Sequence, residues 1–134
     1  MNKKLSVLLA VFALLVASLA CGTSAPAGVS NIQLSTDQDA TNITTTFAPT
    51  DEIYVTFDVN DVAAGSGLQI KWYALNIEGQ DPETPFSTSD YTYTDESSIY
   101  ANIYSTEGGF PTGQYKVEIY LNGAKVGEEQ FSIQ

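Results

Sequence analysis

Strict two-residue alternation is the feature that most limits what this chain can fold into. In Ile53-Tyr54-Val55-Thr56-Phe57-Asp58-Val59 the aliphatic and phenylalanine positions fall on every second residue. A strand sends successive side chains to opposite faces, so Ile53, Val55, Phe57 and Val59 are expected on one buried face. Tyr115-Lys116-Val117-Glu118-Ile119-Tyr120-Leu121 repeats the pattern and is expected to bury Tyr115, Val117, Ile119 and Leu121. Asn122-Gly123 follows at once, and a type I′ hairpin turn needs residues of this kind because both central positions take positive φ. The returning strand runs over residues 124–133. Val126 and Phe131 lie an odd number apart there, so both face inward only if the alternation slips once, and Gly127 is the expected bulge.

Shorter segments complete the set. Ile32 and Leu34 mark an opening strand, and residues 44–47 are β-prone. Residues 69–77 carry Trp72, residues 98–104 carry Ile99, Ala101 and Ile103 on one face, and residues 91–94 read as a short edge strand. Turn-rich breaks at residues 49–51, 65–67, 79–85 and 108–113 separate them, and no segment has helical periodicity. Seven or eight such strands predict an all-β, antiparallel sandwich. Two details resemble the immunoglobulin-like fold over residues 31–134. Trp72 stands mid-strand in the third major strand, and Gly113-Gln114-Tyr115 opens the penultimate one. The resemblance implies a core tryptophan, a corner tyrosine and, without the usual cysteine pair, a disulfide-free or fibronectin-III-like variant.

Upstream of this domain the composition changes. Met1-Asn2-Lys3-Lys4 is a positive start, residues 5–16 are apolar, and Ala17-Ser18-Leu19-Ala20 lead into Cys21, the chain's one cysteine. The sixteen uncharged residues 5–20 fall short of the roughly 20 that span a bilayer as a helix, which favours a cleaved signal peptide over a permanent anchor. Val16-Ala17-Ser18-Leu19-Ala20-Cys21 resembles the lipobox of bacterial lipoproteins, although leucine stands two residues before the cysteine rather than three. The resemblance implies cleavage by signal peptidase II before a diacylglyceryl-modified Cys21. Ser18 and Ala20 also satisfy an ordinary signal peptidase site, which would leave a free thiol. The expected organisation is a leader at 1–20, lipidated Cys21 with a flexible Gly/Ser/Ala/Pro linker at 21–29, and the sandwich at 30–134.

Beyond the leader, sixteen carboxylates face three lysines, Lys71, Lys116 and Lys125, a net charge of −13. Such a domain repels phosphate backbones, which excludes nucleic acid as a partner. There is no histidine to act as a base near neutral pH and no thiol beyond Cys21, so an enzyme, and zinc or copper bound by His and Cys, are not expected. Calcium suits the oxygen ligands present, and Asp58, Asn60 and Asp61 are the candidate ligands. Asp37-x-Asp39-x-Thr41 begins like an EF-hand loop but has Asn42 and Ala48 where that loop needs glycine and glutamate.

Eight tyrosines are the other excess. Strand parity sends Tyr54, Tyr100 and Tyr104 outward on one sheet, with Tyr54 expected to meet Tyr104, and Tyr73 and Tyr120 outward on the other. These are the candidate ligand-binding residues, since aromatic faces suit sugar rings and protein partners alike. The expected function is a lipid-anchored extracytoplasmic interaction domain on the cell membrane or outer membrane, free-standing or accessory to a membrane complex. Its partner would be a protein or a glycan. The alternative is a carbohydrate-binding module using these tyrosines, with or without calcium.

Overall fold

A computed structural model describes residues 28–134; the leader, Cys21 and residues 22–27 lie outside them. Eight strands follow in order: β1 (Gly28–Ser35), β2 (Thr46–Phe47), β3 (Ile53–Asn60), β4 (Gly67–Ala74), β5 (Ser87–Thr92), β6 (Ser98–Ile103), β7 (Gly113–Leu121) and β8 (Ala124–Ile133). They form a three-stranded sheet, β1-β3-β6, and a five-stranded sheet, β2-β8-β7-β4-β5. The described residues contain no helix. The sheets stack as a β-sandwich around one shared core. Every pairing is antiparallel except β2 with β8, which is parallel and corrects the expectation of a purely antiparallel fold.

The alternation lands where it was expected. Ile53, Val55, Phe57 and Val59 on β3, and Ile99, Ala101 and Ile103 on β6, are all buried. On β7, Tyr115, Val117 and Ile119 are buried, while Leu121 is only partly so beside the hairpin turn. Asn122 and Gly123 take φ of 49° and 84°, as a type I′ turn requires. The slip in β8 falls at Val126: Ile119 pairs with Gly127 but Tyr120 with Lys125, so Val126 is the extra residue, one place before the expected Gly127. Gly127 has a different duty. A Cβ there would stand 2.3 Å from Ile32 Cδ1, so its bare backbone lets β1 lie close against β8. A second bulge interrupts β1, where Asn31 takes φ of 51° between Ser30 and Gln33. Three strands differ in extent: β1 begins at Gly28, inside the expected linker; β5 covers residues 87–92 rather than 91–94; and β4 stops at Ala74.

The two inner faces differ in kind. The three-stranded sheet contributes mainly aliphatic side chains, and the five-stranded sheet brings Phe47, Trp72, Tyr115 and Phe131. Trp72 is fully buried and meets Phe131 edge-on at 5.9 Å between centroids. Tyr115 stacks on Phe131 at 5.5 Å and donates its hydroxyl hydrogen to the Pro111 carbonyl at 2.6 Å, pinning the loop that leads into β7. Removing that donor leaves the ring stack in place, so the effect of Tyr115→Phe isolates the hydrogen bond. The substitution is expected to lower unfolding free energy by about 1 kcal/mol, measured by urea denaturation.

Candidate functional site

The chain's least strand-like segments converge at one end of the sandwich. Residues 48–52 lead into β3, residues 75–86 join β4 to β5, and residues 104–112 join β6 to β7. Backbone hydrogen bonds knit them together. Phe86 N–H donates to Trp72 O at 2.9 Å, Phe110 N–H to Pro49 O at 2.8 Å, and Leu75 N–H to Gln114 O at 2.8 Å. Gly109, with φ of 84°, permits the second of these, because a Cβ there would come within 2.9 Å of the Pro49 carbonyl oxygen.

Held this way, Phe86 and Phe110 extend the core aromatics to the surface. Phe86 lies 6.0 Å from Tyr115 and 6.4 Å from Phe110, and Tyr115 continues inward to Phe131 and Trp72. The two phenylalanines form a wall shared by two hollows. One, about 250 Å³, is lined by Ala74, Ile77, Pro111 and Tyr115; the other, about 270 Å³, by Asn102, Ile103 and Tyr104. Among the described residues four large hydrophobic side chains are exposed: Ile43, Phe86, Tyr100 and Tyr104. Three of them stand at this end. Ile43 bridges to Ser35 at the end of β1, while Phe86 precedes β5 and Tyr104 follows β6. Phe86 and Tyr104 line the same hollow, which makes this end the candidate site.

The tyrosines predicted from parity divide into three groups. β3 and β6 are neighbours, and Tyr54 stands opposite Asn102, diagonal to both candidates; it meets Tyr100 at 6.2 Å, while Tyr104 lies past the end of β6. The two rings are tilted by 46°, so they offer no flat stacking surface. Tyr104 lies beyond the end of the strand, 65% exposed, at the aromatic end. Tyr73 and Tyr120 do face outward on the five-stranded sheet, but not as a free platform. Tyr73 is buried, with Lys116 Nζ 4.9 Å above its ring, and Lys71 Nζ sits 4.4 Å from the Tyr120 ring. Phe86 and Phe110 escaped the sequence reading, which followed tyrosine and strand parity. Their signal is an aromatic residue beside proline, Pro85-Phe86 and Phe110-Pro111, in a segment without strand periodicity.

Of the three candidate calcium ligands, Asp58 and Asn60 have partners within the chain and Asp61 is exposed. Asn31 Nδ2 donates to Asp58 Oδ2 at 3.3 Å, Asn60 Nδ2 donates to Ser30 Oγ at 2.7 Å, and Asp61 is exposed in a turn with φ of 51°. Among the described residues no three His, Cys, Asp or Glu side chains group closely enough to hold a metal ion. Loop carboxylates instead accept from nearby backbone. Asp37 takes Thr41 N–H and Asn42 N–H, Asp51 takes Ala48 N–H, and Asp81 takes Glu83 N–H and the Thr84 hydroxyl. Asp37 and Asp81 are held below the usual carboxylate range chiefly by the backbone donors at Thr41 and Glu83. Glu96 accepts from the Tyr91 and Thr94 hydroxyls, in that order of effect, and falls to about 2.

Glu118 is the exception to surface placement. It faces outward on β7 yet is only 5% exposed, roofed by Lys116 at 2.7 Å, the Tyr120 hydroxyl at 2.6 Å and Lys125 at 3.4 Å. Lys125 also pairs with Glu128. Burial pushes the Glu118 carboxyl up, but the hydrogen bonds from Lys116 and Tyr120 and the two lysine charges outweigh it and leave it at about 2. The same contact pushes the Tyr120 hydroxyl well above its ordinary value.

No protein-family model matches this chain, and no curated protein matches it. Among solved structures it is similar to the alkylpurine DNA glycosylase AlkC of Pseudomonas fluorescens, bound to DNA containing an abasic site analog. The TM-score is 0.54 at 10% identity, over 80% of this chain and 30% of that one. At that identity the likeness is one of fold alone. This chain spans under a third of the length of that protein.

The Glu118 cluster has a defined pH signature. Its carboxyl titrates near 4.5 when unfolded and near 2 when folded, so its stabilisation is complete above about pH 5 and is lost as pH falls through 2. Glu118→Gln is expected to cost on the order of 2 kcal/mol at pH 7 and to flatten the stability profile between pH 5 and 2. Some acid sensitivity remains in the variant, because Glu96 loses its stabilisation in the same window. Urea midpoints measured at pH 2, 3, 4, 5 and 7 check both points.

Proposed function

We propose that this chain is a lipid-anchored extracytoplasmic interaction domain, an immunoglobulin-like sandwich that binds a protein partner through its aromatic end. One observation carries the reading: the described chain enters at the end of the sandwich opposite the exposed aromatic residues. Gly28 pairs with Asn60 and Ser35 with Tyr54, so β1 runs from the end holding the Asn122-Gly123 turn toward the end holding Phe86 and Tyr104. Seven residues of strand separate the two ends by about 23 Å. Acyl chains on Cys21 would sit at most about 25 Å of chain from Gly28, and the aromatic end would face away from the bilayer. A net charge of −13 would keep the domain off an anionic lipid surface.

The immunoglobulin-like reading rests on connectivity and on two residues. The chain passes from the three-stranded sheet in β1 to a short parallel pairing with the last strand in β2. Trp72 fills the core on β4, and the Tyr115 hydroxyl binds backbone four residues upstream, as a corner tyrosine does. Binding rather than catalysis fits a chain without histidine whose one thiol would carry lipid.

Two measurements test the proposal. Cys21→Ser is expected to abolish acyl labelling and move the protein from the detergent phase to the aqueous phase; unchanged partition would remove the lipid anchor. A photo-cross-linking amino acid at position 104, in the acylated protein on its native membranes, is expected to capture a stoichiometric partner, while one at position 122 captures none. Capture from 122 alone would place the interface at the tether end and overturn the assignment.

A further inference from the structure

We infer that the aromatic end recognises a cationic, partly apolar polypeptide segment, seating a lysine or arginine side chain against Phe86, Phe110 and Tyr104. The inference rests on the aromatic end being the partner-binding end and adds the chemistry of the partner. Hollow and charge point to it independently. The two hollows divided by Phe86 and Phe110 are lined by aromatic and aliphatic side chains, with Gln80, Ser105 and Asn102 among the polar groups at hand. The three loops that build this end hold six carboxylates: Asp51 and Glu52 before β3, Glu78, Asp81 and Glu83 between β4 and β5, and Glu107 between β6 and β7.

No lysine lies in those loops. Lys71, Lys116 and Lys125 all sit on the outer face of the five-stranded sheet, engaged with Tyr120, Tyr73, Glu118 and Glu128. Asp51 and Asp81 serve backbone donors, and Glu52 accepts from Asn102 Nδ2 at 2.5 Å. Glu78, Glu83 and Glu107 are exposed, and each lies within three residues along the chain of one that lines a hollow: Ile77, Phe86 and Ser105 respectively.

This combination selects among occupants. A second copy would bring the same acidic rim against itself, with −13 on each domain. Anionic lipid is repelled for the same reason. A neutral apolar segment would fill the hollows and leave the exposed loop carboxylates without a counter-charge. A lysine or arginine side chain satisfies both demands. Its methylene stem covers apolar surface, its cationic head rests on the negative faces of the rings, and the surrounding carboxylates draw it in from a distance.

The test uses the full-length acylated protein in phosphatidylcholine nanodiscs, titrated with three capped hexapeptides: alternating Leu-Lys, alternating Leu-Glu and alternating Ser-Lys. The Leu-Lys peptide is expected to bind, perturbing the ring resonances of Phe86, Tyr104 and Phe110. It should bind at least about tenfold more tightly than either control, and weaken steeply as salt rises. Affinity is expected to fall about tenfold in Phe86→Ala and again in the combined Glu78→Gln, Glu83→Gln, Glu107→Gln variant. The triple variant changes exposed positions and should keep the parent melting temperature, whereas Phe86→Ala removes a ring packed on Tyr115 and Phe110 and is titrated well below its own melting temperature. Equal binding of the Leu-Glu peptide, or an unchanged affinity in the triple variant, overturns the cationic assignment. Equal binding of Ser-Lys, or an unchanged affinity in Phe86→Ala, overturns the role of the hollows. Sequencing the segment cross-linked from position 104 separates this inference from the reading beneath it. A segment without lysine or arginine sinks the partner chemistry alone, whereas no capture at 104 sinks the interface itself.

Discussion

Phe131 is the contact on which most of this structure depends. With no disulfide available, the two hydrogen-bonded sheets are held against one another by side-chain packing, and this ring meets three other aromatic rings there. It meets Phe47 edge-on at 5.7 Å, Trp72 edge-on at 5.9 Å and Tyr115 face to face at 5.5 Å. Those partners come from β2, β4 and β7, so one side chain of the last strand ties together most of the five-stranded sheet. Removing such a ring from a packed core costs about 3–5 kcal/mol, a large share of what a domain this size has in reserve. The outward extension to Phe86 and Phe110 is also built on it, because Tyr115 stacks on Phe131 from one side and receives both surface phenylalanines from the other. Core and candidate interface are thus one continuous body of aromatic rings.

The charges show a comparable division of labour. All three lysines of the domain are spent on the outer face of the five-stranded sheet, where they neutralise one buried carboxylate, Glu118, and cover two tyrosines. A carboxylate so enclosed is tolerable only when its hydrogen-bonding and charge demands are met together, and Lys116, Lys125 and the Tyr120 hydroxyl meet them. Elsewhere the acidic residues act on the backbone. Asp37, Asp51, Asp81 and Glu96 each accept from an N–H of their own loop, fixing turns that no disulfide braces. These four carboxylates thus have a local structural use, and among the described residues no lysine lies in the loops of the aromatic end.

What the sequence disclosed follows the range of the interactions involved. Alternation in Ile53-Tyr54-Val55-Thr56-Phe57-Asp58-Val59 and the Asn122-Gly123 turn are set by neighbours along the chain, and both appear in the structure as read. The slip in β8 was legible to within one residue, from the parity of Val126 and Phe131. Pairing across strands was not. Tyr54 stands opposite Asn102, and it meets Tyr100 rather than Tyr104 where β6 ends at Ile103, whereas parity fixes only the face. Burial of outward-facing residues escaped for another reason: Lys116 covers Tyr73 from the adjacent strand, and Glu118 is covered by Lys116 and Tyr120 of its own strand together with Lys125 of β8, a closure of long side chains that alternation does not record. Phe86 and Phe110 escaped because loops have no period to violate.

The two ends of the sandwich have opposite characters, and connectivity makes that difference useful. The end at which Gly28 enters carries tight turns, with Gly65 at φ of 90° and Gly123 at 84°, and polar loops around Asp61 and Asp95. The far end carries the longer loops, the rings and the carboxylate rim. β3 is antiparallel to β1 and returns the chain to its entry end, yet it does not follow β1 directly. Instead the passage through β2, parallel to β8, carries the chain across to the other sheet before it turns back into β3. That crossing needs residues 36–52, and these place Ile43 and Pro49 at the aromatic end. The same parallel pairing that departs from a simple antiparallel sandwich therefore supplies part of the surface on which the proposed recognition rests.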